Sequence, residues 1–190
     1  TFAHVATNVY DQTTGEEQAV FEESPILKKM ISNGWIGAKS GQGFFKKVGK
    51  EILQLNLSTF EYEPTTKLVA PSLEMAKQAK GPGGKLKVLI YANDRVGELL
   101  WNSFAPTLIY SGKLVGEIAD DIVAIDNAMK WGFGWAQGPF EMWDAIGVEK
   151  SVAKMKEEGC EIPEFVNGLL EKGLKTFYSE IDGDLAYYNG

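Results

Sequence analysis

The chain has 190 residues, which is enough for one domain of good size or two small ones. Its 44% hydrophobic and 24% charged residues are ordinary for a folded globular protein and exclude a disordered or collagenous class. The net charge of −7 comes from the second half, since residues 91–190 carry 8 basic and 17 acidic side chains and residues 1–90 carry 11 and 9. An acidic surface without a stripe of lysine or arginine argues against nucleic-acid binding.

Neither a membrane span nor a secretion signal is expected. No uninterrupted apolar run approaches the roughly 20 residues that a spanning helix needs, and residues 1–10 do not combine a basic region with an apolar stretch. Cys160 is the single cysteine, so an internal disulfide is excluded, as is usual in a reducing compartment. These features predict a cytoplasmic protein. Because the chain begins with Thr1 rather than with methionine, we also expect processing, proteolysis or a start partway along a longer gene.

The first predicted elements are a short helix and a glycine-rich loop. Apolar residues recur at helical spacing in 25–34, with Ser24 as the candidate N-cap, Pro25 in the first turn and Gly34 as the C-terminal stop. The run 35–46 is rich in glycine and ends in an aromatic pair.

Residues 49–90 are predicted to be a linker that packs locally. Alternating leucines, followed by alternating aromatic residues, predict a small β-hairpin that Pro64 closes. A helix is predicted over 72–80, and the glycine- and proline-rich run 81–84 must interrupt it.

The second half is predicted to be an all-α bundle. A long helix begins after Asn93 or Asp94, either of which can cap it, and Pro106 kinks it. The next helix is predicted over 116–131, with acidic residues near its N-terminus, where they suit the helix dipole. The remaining helices, each ended by a glycine, are predicted over 139–146, 148–158 and 163–172.

The chain resembles itself at a coarse level. Residues 1–6 and 150–155 both lie in predicted helices, and each segment then passes through a loop, a proline-initiated helix and a glycine stop. An aromatic pair follows in each copy, at 44–45 and at 187–188. The pattern predicts the tail of a first helical repeat without its front half, a linker and a second helical repeat, over 1–48, 49–90 and 91–190. An apolar face on the first tail would then be covered by the second copy, by another chain, or not at all.

Residues typical of catalysis and metal binding are sparse. The glycine pair in 41–43 lacks a third glycine at the spacing of a dinucleotide-binding turn, the pair in 132–134 meets its next glycine one position too late, and neither follows a predicted strand. His4 is the only histidine, and no carboxylate motif is placed to orient it. One histidine and one cysteine exclude a zinc site of the usual ligand set. The sequence therefore predicts no catalytic, cofactor-binding or metal-binding residue in this chain.

Three of the five tryptophans lie in the glycine-containing stretch 126–144. Such a cluster can line a pocket for an apolar or planar ligand, or it can belong to the core, where glycines let helices pack closely. Because aromatic side chains dominate cores, the residues alone favour the core. Glu141 and Asp144 lie on successive turns of one predicted helix, but a catalytic pair would need a buried cleft.

Three motifs carry a family resemblance. The run 39–46, Lys-Ser-Gly-Gln-Gly-Phe-Phe-Lys, resembles the Lys-Ser/Thr-Gly-x-Gly-Phe-Tyr ending of the C-terminal domain of 3-hydroxyacyl-CoA dehydrogenases, with Phe45 where tyrosine is common. The run 94–97, Asp-Arg-Val-Gly, and the stretch 126–147 resemble the start and the middle of a second copy of that domain. The tandem arrangement is similar to multifunctional fatty-acid oxidation proteins, to which an enoyl-CoA hydratase unit can be fused.

The resemblance implies an all-α fold, a helical bundle of the 3-hydroxyacyl-CoA dehydrogenase C-terminal domain type, with the small β-hairpin in its linker. It also implies the family reaction, which is the NAD-dependent oxidation of a 3-hydroxyacyl-CoA to a 3-ketoacyl-CoA. The family's catalytic histidine and glutamate and its NAD site lie in a Rossmann domain, whose motifs this sequence does not contain. NAD is therefore expected in the parent enzyme, on its own Rossmann domain, and this chain by itself is expected to be inactive.

The resemblance assigns one substrate contact. The asparagine that contacts substrate in the first helical domain of the family is replaced by Glu98 in the second copy, so the second copy looks like a degenerate partner of the first. Trp131 occupies the position of an aromatic residue that contacts acyl-CoA in related multifunctional enzymes. We therefore expect this segment to shape the acyl-CoA cleft and the pairing of repeats or of subunits in a homo-oligomer. Two alternatives stay open, a structural dimerisation module without a ligand and a freestanding acyl-CoA-binding protein.

Overall fold

The computed structural model describes residues 2–22 and 24–190, and the chain divides into two compact units, Thr1–Leu68 and Val69–Gly190. The boundary falls inside the segment 49–90, for which the sequence predicts a linker. The hairpin of that segment belongs to the first unit and its helices belong to the second. The fold is mostly helical with small antiparallel strand pairs, which confirms the predicted all-α class. No described helix is both long enough and apolar enough to cross a membrane.

The first unit begins with helices and ends in a small antiparallel sheet. Its elements over the described residues are α1 (Phe2–Gln12), α2 (Gly15–Val20), α3 (Pro25–Ser32), β1 (Phe45–Val48), β2 (Glu51–Leu55) and β3 (Tyr62–Pro64). The predicted hairpin is the β2–β3 pair, and β1 joins the free side of β2. Helix α3 is confirmed, with Gly34 in the left-handed region at a φ of 72°, but the Ser24 side chain makes no capping hydrogen bond.

The motif at 39–46 forms a tight loop between α3 and β1. The Ser40 hydroxyl lies 3.0 Å from the carbonyl oxygen of Gly37, to which it donates. Gly43 packs so closely on Gly37 that a Cβ atom at position 43 would lie 2.8 Å from the Gly37 Cα. The Tyr62 hydroxyl from β3 donates to the carbonyl oxygen of Gly43 over 2.6 Å. The motif therefore has a structural role, because its small and hydroxyl residues let the loop fold on itself and dock on β3.

The second unit is a helical bundle that ends in a hairpin. Its elements over the described residues are α4 (Pro71–Gln78), α5 (Gly81–Ile90), α6 (Arg95–Lys113), α7 (Ile122–Phe133), α8 (Pro139–Ile146), α9 (Val148–Glu157), α10 (Glu164–Glu171), β4 (Tyr178–Ile181) and β5 (Asp184–Tyr187). The predictions of α8, α9 and α10 are confirmed, and the glycine after each of them has a positive φ. The hairpin β4–β5 has no counterpart among the predicted elements.

The local signals misjudge where two helices begin. The run 81–84 separates α4 from α5 as predicted, but it also forms the first turn of α5, where Pro82 is well tolerated. Helix α6 continues through Pro106 to Lys113, because packing of the helix outweighs one lost backbone hydrogen bond, and the kink at Pro106 stays a prediction. Helix α7 begins at Ile122 rather than at residue 116, since the Asp121 carboxylate caps it by accepting the Ala124 N–H.

The core of the second unit is aromatic at its centre. Trp143, Phe140 and Phe177 are almost completely buried, and the rings of Phe140 and Phe177 meet edge to face with centroids 4.9 Å apart. The indole N–H of Trp143 donates to the Ser151 hydroxyl oxygen over 2.7 Å, which satisfies the polar atom of this buried side chain. Phe177 comes from the segment before β4, so the hairpin is tied to the helical core.

The hairpins β1–β2 and β4–β5 follow equivalent helix ends in the two units. Each comes after a helix that stops at a glycine with a φ of 72°, Gly34 or Gly173, and each has a two-residue turn. Phe45 is the first residue of β1 and Tyr178 is the first residue of β4, so these two positions are equivalent. The aromatic pair that matches 44–45 is therefore 177–178 rather than the predicted 187–188. The division into a partial first repeat, a linker and a second repeat stays a prediction, and the shared order of elements supports it.

Candidate functional site

A buried carboxylate, Asp126, holds the junction between α7 and α8. Its side chain is inaccessible to solvent, and its oxygens accept the N–H groups of Phe140 (2.8 Å) and Glu141 (3.1 Å) and the hydroxyl of Tyr178 (2.9 Å). The two N–H groups belong to the first turn of α8, where a helix offers them no internal partner. Burial raises the pKa of Asp126, and these hydrogen bonds oppose that rise. Asp126 therefore joins α7, α8 and β4 at one point.

Glu141 and Lys130 hold the other side of this junction. One carboxylate oxygen of Glu141 accepts the Gly138 N–H (2.9 Å), and the other lies 2.6 Å from the Lys130 Nζ. Gly138 is required here, since a Cβ atom would lie 2.3 Å from the Cβ and the Cγ of Asp126. Because Lys130 directly precedes Trp131, the ion pair also fixes the end of α7 that carries this tryptophan.

A second carboxylate, Asp144, holds the start of β4. It accepts the N–H groups of Phe177 (2.7 Å) and Tyr178 (2.9 Å). Burial raises the pKa of Asp144 to about 6, the two N–H bonds oppose this rise, and the charge of nearby Asp126 adds to it. Burial and the Asp126 carboxylate also raise the pKa of Tyr178, which keeps its hydroxyl protonated and able to donate. The cluster is arranged to hold three elements together, since each carboxylate is directed at backbone N–H groups.

Titration of Asp144 is expected to lower the stability of the second unit as the pH rises from about 4 to about 6. Its pKa is higher in the folded state than in the unfolded chain, so the protonated form favours folding and this advantage is lost as the pH passes the folded pKa. In Asp144→Asn, which does not titrate, this fall in the free energy of unfolding, on the order of 2 kcal/mol, should disappear. Urea unfolding followed by tryptophan fluorescence between pH 4 and pH 7 measures the slope.

Glu158 provides a control, because its effect on the pH dependence of stability has the opposite sign. Hydrogen bonds from Lys154 and from Trp101 lower the pKa of Glu158, so its contribution to stability is lost as the pH falls. Glu158→Gln should therefore change the slope in the direction opposite to Asp144→Asn. A wild-type slope in Asp144→Asn would mean that the carboxyl group of Asp144 titrates at its ordinary pKa.

The three tryptophans of 126–144 have different surroundings. Trp143 belongs to the core, Trp135 lines a cleft and Trp131 is 81% exposed near the end of α7. Phe133, two residues further on, is 73% exposed. Large aromatic side chains that are exposed to solvent at one end of a helix are candidates for a contact surface. Trp143 therefore fits the interpretation of this cluster as core, whereas exposed Trp131 fits its interpretation as a ligand surface.

An apolar cleft of about 320 Å³ lies beside the loop between α7 and α8. Its walls come from α5, α6, this loop and α8, and Gln137 is the polar residue among the apolar lining residues Pro82, Leu86, Phe104, Trp135, Ala136 and Met142. The volume lies at the lower end of the range for small-molecule sites. The cleft can accommodate an apolar group of modest size.

The other candidate residues lie elsewhere. His4 is exposed on α1, in the first unit, and Glu98 is exposed on α6. No group of three or more side chains that could hold a metal ion occurs in the described part of the chain. The glycine pair 132–134 lies at the C-terminal end of α7, where Gly134 has a φ of 68° and forms the cap.

Comparison with known proteins identifies the family that this helical unit resembles. Residues 103–175, from within α6 to just beyond α10, match the family model of the 3-hydroxyacyl-CoA dehydrogenase C-terminal domain. Over 189 residues the chain is 53% identical to a protein of Bacillus subtilis (strain 168) that is named "Probable 3-hydroxyacyl-CoA dehydrogenase". The chain is a relative of the 3-hydroxyacyl-CoA dehydrogenase family. The resemblance seen in the sequence motifs is thereby confirmed.

The curated relatives are much longer than this chain. The matched region is 100% of this chain but 24% of the Bacillus subtilis dehydrogenase, so the chain spans about a quarter of that relative. Proteins of Rickettsia felis and Rickettsia prowazekii, which carry the provisional name fatty acid oxidation complex trifunctional enzyme, are 28% identical over 127 residues, 65% of this chain and 16% of their own length. No solved structure matches the chain significantly.

Sequence reasoning missed the residues that hold this dehydrogenase-type domain together. Asp126 lies one residue after Ile125 on the apolar face of α7, and an acidic residue on a core-facing stripe is itself a signal of a buried, hydrogen-bonded carboxylate. Tyr178 gives no such signal, because its partner Asp126 is 52 residues away in the chain.

Proposed function

We propose that this chain works as part of an NAD-dependent 3-hydroxyacyl-CoA dehydrogenase of fatty-acid β-oxidation, which converts 3-hydroxyacyl-CoA to 3-ketoacyl-CoA in the cytoplasm. The family match of residues 103–175 and the name of the Bacillus subtilis relative support this assignment. Because the chain spans about a quarter of that relative, the proposal gives catalysis to the whole enzyme. This segment contributes to the acyl-CoA cleft and to the pairing of repeats or subunits.

The two glycine pairs, at 41–43 and 132–134, do not fit a dinucleotide site for NAD. A dinucleotide is held where a glycine turn leads from a strand into a helix N-terminus, whose free N–H groups bind the pyrophosphate. Here the glycines of 132–134 end α7, so carbonyl oxygens rather than N–H groups lie at that end, and the glycines of 41–43 precede β1. In our proposal NAD and the histidine that accepts the hydroxyl proton lie in a Rossmann domain of the parent enzyme. NADH oxidation by this chain alone, with acetoacetyl-CoA as substrate, would overturn that assignment.

The observation that carries the substrate role is the exposure of Trp131. The ion pair between Lys130 and Glu141 and the cap at Gly134 fix the end of α7, so the indole extends into solvent from an ordered helix. An indole offers a flat apolar face that a planar or apolar ligand can cover. We infer that Trp131 contacts acyl-CoA in the assembled enzyme.

Trp131→Ala in the parent dehydrogenase is expected to raise KM for acetoacetyl-CoA about tenfold while kcat stays within about twofold. A contact that is present in both the bound substrate and the transition state lowers KM without accelerating the chemical step. Steady-state NADH oxidation measures both constants. Phe45→Ala, which removes an exposed aromatic ring from β1, is the matched control and should leave both constants unchanged. A lower kcat at an unchanged KM would contradict a substrate contact.

The exposure of Phe133 at the same end of α7 as Trp131 favours a second candidate, a pairing surface that binds no ligand. Sedimentation of the parent enzyme separates the two. Dissociation of Trp131→Ala or Phe133→Ala into smaller species, with acyl-CoA affinity unchanged, would support the pairing surface. Weaker acyl-CoA binding by an intact oligomer would support the substrate contact.

A further inference from the structure

The hairpins β1–β2 and β4–β5 carry opposite charges at equivalent positions. Residues 45–54 have three lysines and one glutamate, whereas residues 178–187 have three carboxylates and no basic side chain. Both hairpins share one register and a two-residue turn, so Lys47 of β1 is equivalent to Glu180 of β4. Both side chains are exposed, and neither forms an ion pair in the described part of the chain. Each hairpin therefore presents an uncompensated charge, and the two charges are opposite in sign.

An exposed aliphatic side chain lies directly opposite each of these charges. Ile52 of β2 pairs with Lys47, and Leu185 of β5 pairs with Glu180. Residues that are directly opposite each other on antiparallel strands point to the same face of the sheet. Ile52 is 58% exposed and Leu185 is 75% exposed. One face of each hairpin therefore carries a charged and an aliphatic side chain next to each other and open to solvent.

The two faces complement each other when the hairpins stack antiparallel. In each hairpin the charged residue lies on the first strand and the aliphatic residue on the second, so the two faces have the same handedness. A half-turn about an axis across the strands brings one face onto the other and leaves first strand over first strand. Lys47 then lies over Glu180 and Ile52 lies over Leu185, at the roughly 10 Å spacing of packed sheets. The stack therefore joins opposite charges and two apolar side chains.

We propose that β1–β2 of one copy of this chain binds β4–β5 of a second copy through these two faces. A stable interface buries about 800 Å² per partner, and one hairpin face supplies only part of that area. A reciprocal dimer, in which the basic hairpin of each copy binds the acidic hairpin of the other, doubles the contribution. The choice of the hairpins rests on their charge and exposure, whereas the choice of a second copy as the partner rests on the subunit pairing in the proposed function.

Charge reversal tests the contact in solution. Sedimentation velocity of the 190-residue chain at low salt should show a dimer whose dissociation constant rises with added salt. Lys47→Glu places like charges against each other in both contacts of the dimer, so it should raise the dissociation constant at least about tenfold, and Glu180→Lys should do the same. Lys156→Glu, at an exposed lysine on α9, makes the same change in net charge as Lys47→Glu and should dimerise like the wild type.

A mixture of the two charge variants decides whether the contact lies between copies. Lys47→Glu mixed with Glu180→Lys should dimerise about as tightly as the wild type, because each hairpin then meets a hairpin of opposite charge. Rescue in the double variant without rescue in the mixture would place the contact within one chain and overturn the proposal. Absence of rescue in both, or a wild-type chain that stays monomeric up to millimolar concentration, would overturn it as well.

Alanine substitutions test the apolar part of the contact. Leu185→Ala should weaken dimerisation about tenfold, because its side chain loses the apolar surface that Ile52 covers. Ile118→Ala removes an isoleucine that is 71% exposed and lies outside both hairpins, so it should leave dimerisation unchanged. Equal effects of the two variants would overturn the apolar contact between the hairpins.

Trp131→Ala separates this proposal from the proposed function. Trp131 lies on α7, so its loss leaves both hairpins intact. A dimer that is lost in Trp131→Ala and kept in Lys47→Glu would support the pairing surface at the end of α7 and overturn the hairpin contact. A dimer that is lost only in Lys47→Glu would support the hairpin contact, whatever Trp131→Ala does to the KM of the parent enzyme for acetoacetyl-CoA.

Discussion

Replacement of Asp126 by alanine is expected to lower the free energy of unfolding of the second unit by about 3 to 5 kcal/mol. The change leaves the N–H groups of Phe140 and Glu141 and the hydroxyl of Tyr178 without their acceptor in a site closed to solvent. Each buried donor that loses its partner costs about 1 to 3 kcal/mol, and removal of a buried carboxylate offsets part of that sum. Urea unfolding followed by tryptophan fluorescence measures the loss, because four of the five tryptophans lie in this unit.

Asp121→Ala is the matched control on the same helix. Asp121 caps α7 through one hydrogen bond to the Ala124 N–H at the surface, so its removal should cost about 1 kcal/mol. Asp126→Asn keeps the shape of the side chain and one acceptor oxygen, and its cost should lie between the costs of the two alanine variants. Equal losses in Asp126→Ala and Asp121→Ala would show that the buried carboxylate does not hold the junction.

Substitution of two helical glycines by alanine should have opposite effects in the second unit. Gly97→Ala should destabilise it by about 3 kcal/mol or more, because the new Cβ would lie 2.0 Å from the carbonyl oxygen of Ala92, a backbone atom that cannot move alone. Gly132→Ala should stabilise it by about 0.5 to 1 kcal/mol, because no atom lies within 4 Å and alanine is the better helix former. Chemical unfolding of both variants measures the difference.

Gly97→Ala also tests why glycine occupies the last position of the motif at 94–97. Gly97 is the last residue of the Asp-Arg-Val-Gly run, and its buried position against Ala92 gives that glycine a packing role. If Gly97→Ala were as stable as the wild type, the start of α6 would have to shift away from Ala92 at little cost. If Gly132→Ala were less stable than the wild type, another chain or another segment would have to contact the end of α7.

Local signals predicted one helix to the residue and misjudged others. Helix α8 was predicted over its observed range, because Pro139 at its start and Gly147 at its end act within one helical turn. Helix α5 was missed, since the glycines at 83 and 84 favour a break. Tertiary packing outweighs that preference, because the missing side chain of Gly83 is what lets α5 approach Ala145 on α8. Gly83, which the sequence marks as a helix breaker, therefore lies at a close contact between two helices.

For the candidate site, the role of Trp131 stays a prediction. The resemblance singled out Trp131, but sequence could not show whether its indole is buried or exposed, since Trp143 in the same stretch lies in the core. The apolar residues that line the cleft were visible in the sequence, yet their meeting around one cleft depends on how α5, α6 and α8 pack.

By itself the sequence determined the helical class, the positions of most helices and the relationship to the 3-hydroxyacyl-CoA dehydrogenases, because periodicity, caps and motifs are properties of neighbouring residues. Only the tertiary structure decided the division at Leu68 and Val69, the cleft and the partners of Asp126. Those partners lie 14, 15 and 52 residues away along the chain. Contacts over such separations form when apolar faces exclude water and helices pack, and no local pattern in the sequence specifies them.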